Sequence, residues 1–540
     1  MAQRVKTRVG GHLVVESLEA LGAEVVFGLP GIHALAIWEG LRESGLRFAG
    51  FRAELNAGFA ADGYARVSGR PAPLLLSTGP GALNSLTALM EAASSHVPVV
   101  AIASQIPSGL IGRGRGFLHE LPDQLASFAP VVKWAGRVPN AEALPELLAE
   151  AWRHALTPPS GPVFLEIPVD FLADETGVPP VKELDGSPAP LPLPPAGLLD
   201  EAARLLAGAD RPVIWAGAGV HRSGAWDELR ALAERLGAPV ATTFMGKGAL
   251  PEDHELAAGS GCDDAAVQEL LGGADVLLAV GTELGAETTG QYSLELGGRL
   301  VHVDAAPERI GATYPALGLV GDARTVLAAL LDRLPAREGD GAARAAAVRD
   351  RIARGLAAQG NELERGLLAT IREALPRDAV HAWDMTILAY CASAHFPAFE
   401  PRRFLYPLGS GTLGYAWPAA LGATLAVPRT PVLGVVGDGG FAYGLVELAS
   451  ARQNGLPAAL LVIDDGGYGI LREYQRGSFG ETFAVDLVQP DFAAVCAGFG
   501  VPVRTSSPEA LGGDLAWALA EEGPAVVILP ALLEWIRPTP

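Results

Sequence analysis

Cysteine is scarce in this chain of 540 residues, occurring only at Cys262, Cys391 and Cys496. The three positions are far apart and form neither a CxxC pair nor a Cys/His cluster, which excludes a disulfide framework and a structural zinc site. Because an isolated cysteine behaves as a small hydrophobic side chain, we expect all three in the core rather than in catalysis.

Basic residues are also few relative to acidic ones. The chain has 40 Lys and Arg against 61 Asp and Glu, which gives a formal net charge of -21. Such an acidic surface repels nucleic acid and anionic membranes, so we expect neither as a partner. An anionic ligand must then be bound by a local positive group, such as a metal ion or a helix N-terminus.

Long apolar runs are missing as well, since no stretch approaches the length of a membrane span. Residues 1–22 enter an amphipathic helical pattern and contain no cleavage site of a signal peptide. We therefore expect a cytoplasmic protein.

What the chain does contain is apolar bulk and turn-forming residues: it is 49% hydrophobic, with 66 Gly and 42 Pro. This composition suits a large, well-buried enzyme, and the length predicts three domains. A Pro-rich segment at 177–197 and a charged, Ala-rich segment at 334–355 are interpreted as linkers, the second as a solvated helix or tether. The predicted domains are residues 1–180, 190–335 and 356–540.

Each of the three blocks alternates short apolar strands with longer helical patterns. Four strand-like runs occur in each block, among them "EVVFGLPG" in the first, "ADVLLAVGT" in the second and "AALLVIDD" in the third. Their near-continuous Val, Ile and Leu indicates strands that are buried on both faces. The predicted fold class is therefore α/β with three doubly wound parallel-sheet domains, in which ligands bind at the carboxyl ends of strands.

Two apolar runs of the third block end in an aspartate followed by glycines, at Asp438 and Asp465. The segment between them has helical periodicity and stops at Gly455, so residues 431–465 form one βαβ unit with its strand ends side by side. Paired carboxylates and close-approach glycines at one edge predict a cradle for Mg²⁺ and a diphosphate. The alternative is ordinary turn chemistry, in which each aspartate only caps a helix or turn.

The same residues resemble a known family. "GDGGF" followed by "VIDDGGYG" resembles the thiamine diphosphate (ThDP) fingerprint, and "VFGLPG", "FRAELNAGFAADGYARVSGRP", "LSTGPGALN" and "GSGTLGYAWPAALGA" resemble motifs of the acetolactate synthase and 2-oxo acid decarboxylase superfamily. The resemblance covers essentially the whole chain. It implies a pyrimidine-binding domain, a central Rossmann-like domain and a diphosphate-binding domain, in that order.

The resemblance also implies roles for particular residues. Glu54 matches the glutamate that shares a proton with the aminopyrimidine of ThDP, which is general acid–base work relayed through the cofactor. Leu413 matches the bulky apolar residue under the cofactor, and Asp438, Asp465 and the carbonyl of Gly467 match the Mg²⁺ ligands. The cofactor-binding positions implied by the motifs are Pro30, Gly81, Asn84, Gly411, Leu413, Gly437, Asp438, Gly439, Gly440, Asp465, Gly467, Tyr468, Gly469 and Ile470.

Two positions depart from the family pattern. Asp464-Asp465 stands where many relatives have Asn-Asn, which adds one negative charge beside the expected metal. Ala53 stands before Glu54, where a histidine is common, so no histidine acts there.

The reaction is predicted from the loops that face the cofactor. Gln105, His119 and Gln124 are candidate polar groups of the active site, and Gln105 and His119 are predicted to be catalytic. Arg472 and Tyr474 could meet the carboxylate or polar tail of a substrate; the alternative for Arg472 is a solvated helix residue.

Pyruvate decarboxylases use two adjacent histidines, and no such pair occurs in the first block, while Leu471 is apolar where those enzymes carry a glutamate. An acetaldehyde-forming enzyme is therefore disfavoured. "GFLHEL", "GLPGIH" and the pattern GGYG-x-x-R-x-Y resemble members of the family that decarboxylate larger 2-oxo acids, including guanidino-oxopentanoate decarboxylases. This resemblance implies decarboxylation of a larger or polar 2-oxo acid. The alternatives are an acetolactate synthase-like carboligase that uses an aldehyde or a second 2-oxo acid as acceptor, and a catalytically silent relative kept for binding or assembly.

Two further expectations follow from the resemblance. The active site of the family lies between subunits, which implies a homodimer or homotetramer. "GAGVHRSGA", residues 217–225, is not a true GxGxxG motif, so FAD is allowed but not favoured.

Overall fold

A computed structural model describes residues 7–540, and three six-stranded parallel sheets form its framework. This confirms the predicted fold class. Within residues 7–540, no helix combines the length and the apolar character needed to cross a membrane.

The first sheet has the strand order β2-β1-β3-β4-β6-β5. Its strands are β1 (Val25–Gly28), β2 (Arg47–Gly50), β3 (Ala72–Leu76), β4 (Val99–Gln105), β5 (Trp134–Arg137) and β6 (Val163–Pro168). Its helices are α1 (Gly10–Ala20), α2 (Leu35–Glu43), α3 (Glu54–Ser68), α4 (Pro80–Leu83), α5 (Leu86–Ser94), α6 (Gln124–Phe128), α7 (Leu144–Leu156) and α8 (Val169–Ala173).

The second sheet has the strand order β12-β11-β10-β7-β8-β9. Its strands are β7 (Pro212–Ala216), β8 (Val240–Thr242), β9 (Ala257–Gly259), β10 (Val276–Val280), β11 (Arg299–Asp304) and β12 (Leu317–Val320). Its helices are α9 (Ala196–Ala207), α10 (Ala218–Ser223), α11 (Trp226–Leu236), α12 (Ala265–Gly272) and α13 (Ala323–Leu331).

The third sheet has the strand order β14-β13-β15-β16-β18-β17. Its strands are β13 (Val380–Trp383), β14 (Phe404–Leu405), β15 (Val432–Gly437), β16 (Ala458–Asp464), β17 (Val503–Thr505) and β18 (Ala525–Pro530). The helices of this part of the chain are α14 (Gly341–Ala358), α15 (Glu362–Ala374), α16 (Ile387–His395), α17 (Ala416–Ala426), α18 (Asp438–Gly444), α19 (Glu447–Asn454), α20 (Gly469–Phe479), α21 (Phe492–Gly498) and α22 (Leu511–Ala520).

Strand residues alternate between two hydrophobic clusters on opposite faces of each sheet, as doubly wound sheets require. In β16, for example, Leu460 and Val462 belong to one cluster, and Leu461 and Ile463 belong to another. The twelve strand-like runs of the sequence are the four inner strands of each sheet. The two edge strands of each sheet were not predicted, because they are partly exposed and lack a continuous apolar run.

The first and third sheets share one core, since α3 and α17 cross between them and belong to the same hydrophobic cluster. Glycine allows the two helices to touch along their backbones: a Cβ on Gly422 would lie 1.9 Å from the carbonyl oxygen of Ala60, and a Cβ on Gly63 would lie 2.3 Å from that of Ala419. This contact holds the first and third sheets of the chain together.

The two proposed linkers differ in structure. The Pro-rich segment is irregular, with no helix or strand between Gly177 and Pro195, as expected. Of the two expectations for 334–355, a helix is present as α14, but it is not simply solvated and the segment is not a tether, because α14 buries Ala345, Val348 and Ile352 against the central sheet. The domain boundaries that rest on these segments stay predictions.

Candidate active site

The two aspartates of the third domain lie at the same sheet edge. β15 and β16 are parallel neighbours, with Gly437 paired to Ile463, so Asp438 and Asp465 both follow carboxyl strand ends. Burial, and after it the nearby Asp465 carboxylate, raise the pKa of Asp438 to about 6. The connection between the strands is two helices, α18 and α19, rather than the single helix expected.

This pair of carboxylates is suited to a hard cation. Among the described residues, no group of three or more His, Cys, Asp and Glu side chains could hold a metal ion. A metal at this edge would therefore rely on two carboxylates together with backbone oxygen, which is the ligand set that Mg²⁺ accepts. Gln489 donates from Nε2 to Asp438 Oδ2 over 2.5 Å and holds one of these oxygens in place.

A cavity of about 210 Å³ opens beside the carboxylates. It brings together every position that the motifs assigned to the third domain: Gly411, Leu413, Gly437, Asp438, Gly439, Gly440, Asp465, Gly467, Tyr468, Gly469 and Ile470. Its remaining lining is largely apolar and includes Met385, Leu471 and Leu533. The cavity thus combines carboxylates and glycine backbone with apolar side chains.

Leu413 projects from a loop whose backbone is held on both sides. Gly411 and Gly414 adopt positive φ angles of 64° and 82°, which glycine tolerates best. The carboxylate of Asp384 accepts hydrogen bonds from the backbone N–H of Gly414 and of Ala416, each at 3.1 Å. Sequence reasoning missed Asp384, although its position directly after strand β13 is the signal that identified Asp438.

The predicted residues of the first domain form a second group. Glu54 is the first residue of α3, and Asn84 donates from Nδ2 to its Oε2 over 3.2 Å. A Cβ on Gly81 would lie 3.1 Å from Glu54 Oε1, so this backbone passes directly beside the carboxylate. Pro30 follows β1, and its neighbour Gly31 packs against Ser77, as Gly81 also does.

The start of the Glu54 helix is held by Glu447 of α19. Its Oε1 accepts hydrogen bonds from the backbone N–H of Ala53 and from Asn56 Nδ2, each at 3.1 Å. Glu447 is fully buried, and burial is the main reason that its pKa is raised. The helices that follow Asp438 therefore position Glu54 of the same chain, which nothing in the sequence signalled.

The two groups do not meet within one chain. Among the described residues, the cavity beside Asp438 is lined only by positions between Met385 and Leu533. Neither Glu54 nor the residues that contact it line this cavity, so the two groups lie apart within this chain.

Gln105 and Gln124 occupy supporting positions in the first domain. Both are buried and donate from Nε2 to Glu166 Oε2 at 3.0 Å. Gln124 Oε1 accepts from the backbone N–H of Gly79 over 2.7 Å, which braces the loop that carries Gly81 and Asn84. The amide of Gln105 is engaged on both ends, because its oxygen accepts from the N–H of Ile106.

His119 lies next to this loop, with its carbonyl oxygen close to Gly79, and has a positive φ of 67°. Its ring meets that of His33 edge to face with 5.1 Å between centroids. The Nδ1 atoms of both rings are buried without a hydrogen-bond partner in the structure. Burial, and then His119, lower the pKa of His33. The sequence contains no adjacent histidine pair, but the fold builds a spatial one.

A second cavity, of about 280 Å³, lies at the carboxyl ends of the central strands. Gly219 of α10, Gly281 after β10 and Asp304 of β11 line it together with His96 and Arg222. Such a crevice is where a dinucleotide would bind in an open α/β sheet. The expectation against FAD stays a prediction.

Family models match most of the chain. The N-terminal binding domain, the central domain and the C-terminal binding domain of thiamine pyrophosphate enzymes match residues 8–127, 199–330 and 384–529. The order of the three domains is that expected from the motifs.

Curated relatives agree with these models over nearly their whole length. A protein of Pseudomonas aeruginosa named "Probable 2-ketoarginine decarboxylase" is 39% identical over 536 residues, 98% of this chain and 95% of its own. The acetolactate synthase large subunit of Corynebacterium glutamicum is 34% identical over 531 residues, 93% of this chain and 83% of its own. An acetolactate synthase of Mycobacterium bovis is 33% identical over 513 residues, 91% of this chain and 82% of its own. This chain therefore belongs to the thiamine diphosphate-dependent enzymes and is a lyase or transferase of that family.

Proposed function

We propose that this enzyme decarboxylates a 2-oxo acid that carries a cationic, guanidinium-like tail, with ThDP and Mg²⁺ as cofactors. The observation that carries the proposal is an acidic and aromatic group: Tyr390 lines the Asp438 cavity, and Tyr474 and Glu287 are near enough to raise the pKa of its hydroxyl. A guanidinium combines a positive charge with a flat face, and carboxylates and aromatic rings bind it well.

Tyr390 lines the cavity, and Tyr474 lies close enough to it to affect the pKa of its hydroxyl. The ring of Tyr474 meets that of Trp535 edge to face at 5.3 Å. Burial, then Tyr474 and then the Glu287 carboxylate raise the pKa of Tyr390 to about 12. Burial and then Glu287 raise the pKa of Tyr474. Glu287 is therefore close enough to both hydroxyls to disfavour negative charge there and to favour a cation.

The charge of Glu287 is free to meet a ligand. Within residues 7–540, its carboxylate pairs with no Lys or Arg, and its hydrogen bond comes from Gln291 Nε2 at 3.1 Å. The relative named as a 2-ketoarginine decarboxylase, whose printed name describes a substrate with such a tail, supports this assignment.

The chain supplies the remaining parts of the reaction. Bound ThDP supplies the electron sink for decarboxylation. Asp438, Asp465 and the carbonyl of Gly467 would hold Mg²⁺, and the cavity glycines would admit the diphosphate. Glu54 holds a proton at the aminopyrimidine, with Asn84 orienting its carboxylate. His119, whose ring contacts that of His33, holds the proton that the product receives.

We further propose a homodimer or homotetramer in which each site combines two chains. The Glu54 group of one subunit would complete the Asp438 cavity of its partner, since the two groups lie apart within one chain. Localisation in the cytoplasm stays a prediction.

Carboligation in the manner of an acetolactate synthase is the second candidate. Leu471 and Leu533 make part of the cavity wall apolar, which would shelter a reactive donor from water until an acceptor arrives. The acetolactate synthases at 33% and 34% identity support this alternative.

The test supplies the purified protein with ThDP, Mg²⁺ and 2-oxo acids of equal length, and follows CO₂ release. The 5-guanidino acid and its neutral 5-ureido isostere form the critical pair. We expect the guanidino acid to have at least tenfold higher kcat/KM, and Glu287→Gln to remove this preference while leaving the ureido acid unaffected.

Three outcomes would contradict the proposal. Equal turnover of the two acids would refute the cationic tail, and ligated product in place of free aldehyde would establish the carboligase. Absence of CO₂ release from every acid, with ThDP bound, would identify a silent relative.

A further inference from the structure

The metal edge carries two consecutive acids, Asp464 and Asp465, at the end of β16. Two carboxylates, Asp438 and Asp465, would face one Mg²⁺ and the diphosphate beside it. The second carboxylate strengthens attraction for the metal but repels the anionic diphosphate. In a protein with a formal net charge of -21, this repulsion needs a local counter-charge.

Arg472 of α20 supplies a positive charge at this point. Its Nη1 donates to the backbone oxygen of Asp465 over 2.9 Å and lies 3.4 Å from the Oδ1 carboxylate oxygen of the same residue. Its Nε donates to Asp486 Oδ1 over 2.7 Å. Arg472 is only 8% exposed, so the alternative that it is a solvated helix residue is wrong.

The absence of a side chain at Gly467 leaves space for this guanidinium. Gly467 has a φ of 159°, and a Cβ on it would lie 2.5 Å from Arg472 Nη2 and 2.1 Å from the carbonyl oxygen of Val485. The neighbouring Gly466 has a φ of 76°. The guanidinium therefore packs directly against the backbone that carries the predicted metal-binding carbonyl.

We propose that Arg472 is a positioning and charge-balancing residue of the cofactor site. It offsets the charge of Asp465 and holds the loop from Asp465 to Gly467. The Mg²⁺–diphosphate would then face the charge of one carboxylate, because the guanidinium balances the other. This inference rests on the proposed use of Mg²⁺ and ThDP. Among the described residues, Arg472 is the only Lys or Arg in contact with Asp438 or Asp465.

Asp486 keeps the guanidinium oriented from the other side. Its side chain is 75% exposed, so water screens its charge far more than that of the largely buried Asp465. Asp486 therefore holds Arg472 without cancelling its effect on the cavity. The exposed Arg476, one turn later on α20, pairs with Glu473 and contacts neither metal-edge carboxylate.

The experiment measures the ThDP dissociation constant of the cofactor-free protein at saturating Mg²⁺, and separately the Mg²⁺ constant with the metal alone. A unit charge several ångströms from a diphosphate at the protein surface changes its affinity by at least about tenfold. We expect Arg472→Gln to weaken ThDP binding by about that factor without weakening the binding of Mg²⁺ alone. Arg476→Gln is the matched control and should bind both ligands as the wild type does.

The second arm separates charge from position. Asp465→Asn combined with Arg472→Gln removes both charges and should recover ThDP affinity to within about threefold of the wild type. Arg472→Lys keeps the charge but loses the planar fork, and should lie between the wild type and Arg472→Gln.

The outcomes are distinguishable. Wild-type ThDP affinity in Arg472→Gln, or a double variant no better than that single variant, overturns the inference. If Arg472→Gln does not fold, Asp465→Asn is measured instead. In that variant the positive charge of Arg472 is no longer offset by Asp465, so it should bind ThDP at least as tightly as the wild type. Weaker binding overturns the inference. A wild-type protein that binds no ThDP refutes the proposed function instead.

Discussion

The imidazole rings of His33 and His119 meet edge to face with 5.1 Å between their centroids, although they belong to different loops of the first sheet. His33 follows β1 and His119 follows β4, so both loops leave carboxyl strand ends on the same edge. Both rings lie on the Glu54 side of the site, since the carbonyl oxygen of His119 is close to Gly79 of the loop that carries Gly81, and the proposed reaction needs a proton for the product there. The histidine pair that the sequence lacked is thus formed by topology.

His119→Asn should lower kcat by about a hundredfold, because a positioned proton donor contributes roughly that factor. His33→Asn should have a smaller effect, about tenfold, because it acts through His119. The measurements are CO₂ release and the fraction of product released as free aldehyde. His154→Asn, on the exposed side of α7, is the control, and wild-type kcat in His119→Asn would remove the pair from the reaction.

Glu54→Gln should retain ThDP, since Glu447 still holds the backbone of Ala53 and Asn84 can still donate to the amide oxygen, but should lose most proton exchange at thiazolium C2. An amide cannot share the proton with the aminopyrimidine, and we expect exchange to slow by at least about a hundredfold. Proton exchange followed by NMR in deuterated buffer checks this. Exchange at the wild-type rate, with ThDP bound, would show that another group performs this role.

Stability should depend on pH through His221 of the central domain. Trp226 donates from Nε1 to His221 Nδ1 over 3.1 Å, and His221 Nε2 is 3.0 Å from the carbonyl oxygen of Lys247, so the buried ring is held neutral. Burial is the main cause that lowers its pKa to about 4. The pKa of His221 is lower in the folded than in the unfolded state, so its contribution to the free energy of unfolding is fully present above pH 6.5. This contribution is lost as the pH falls toward 4, which lowers the free energy of unfolding by about 3 kcal/mol.

Thermal unfolding of the wild type and of His221→Gln between pH 7.5 and about 4.5 tests this dependence. Glutamine can make both hydrogen bonds but does not titrate, so the midpoint of the variant should fall less on acidification. Parallel curves for the two proteins would show that His221 does not carry the acid sensitivity.

Gly422→Ala should destabilise the contact between α3 and α17 by about 3 kcal/mol, because the added Cβ would lie 1.9 Å from the backbone oxygen of Ala60. Gly366→Ala on α15 is the matched control, since its Cβ would meet nothing within 4 Å. The control should gain up to about 1 kcal/mol from helix propensity. Denaturant unfolding compares the two, and equal stability of both variants would contradict the close crossing.

The inner strands could be predicted from the sequence, and the edge strands could not. Both faces of an inner strand are buried, so runs such as β4 and β16 are apolar without interruption. Edge strands such as β5 and β17 are partly exposed, and their residues read as loop. The same limit explains the error over α14, whose narrow apolar stripe of Ala345, Val348 and Ile352 is hidden among charges.

The sequence by itself determined the fold class, the family and the residues that surround the Asp438 cavity, because motif spacing and strand burial are local properties of the chain. Only the tertiary structure decided which side chains oppose one another. Arg472 reaches Asp465 through the turn into α20, Glu447 reaches the Glu54 helix across two sheets, and His33 meets His119 between separate loops. Each of these contacts joins segments through packing, and packing leaves no periodic pattern in a sequence.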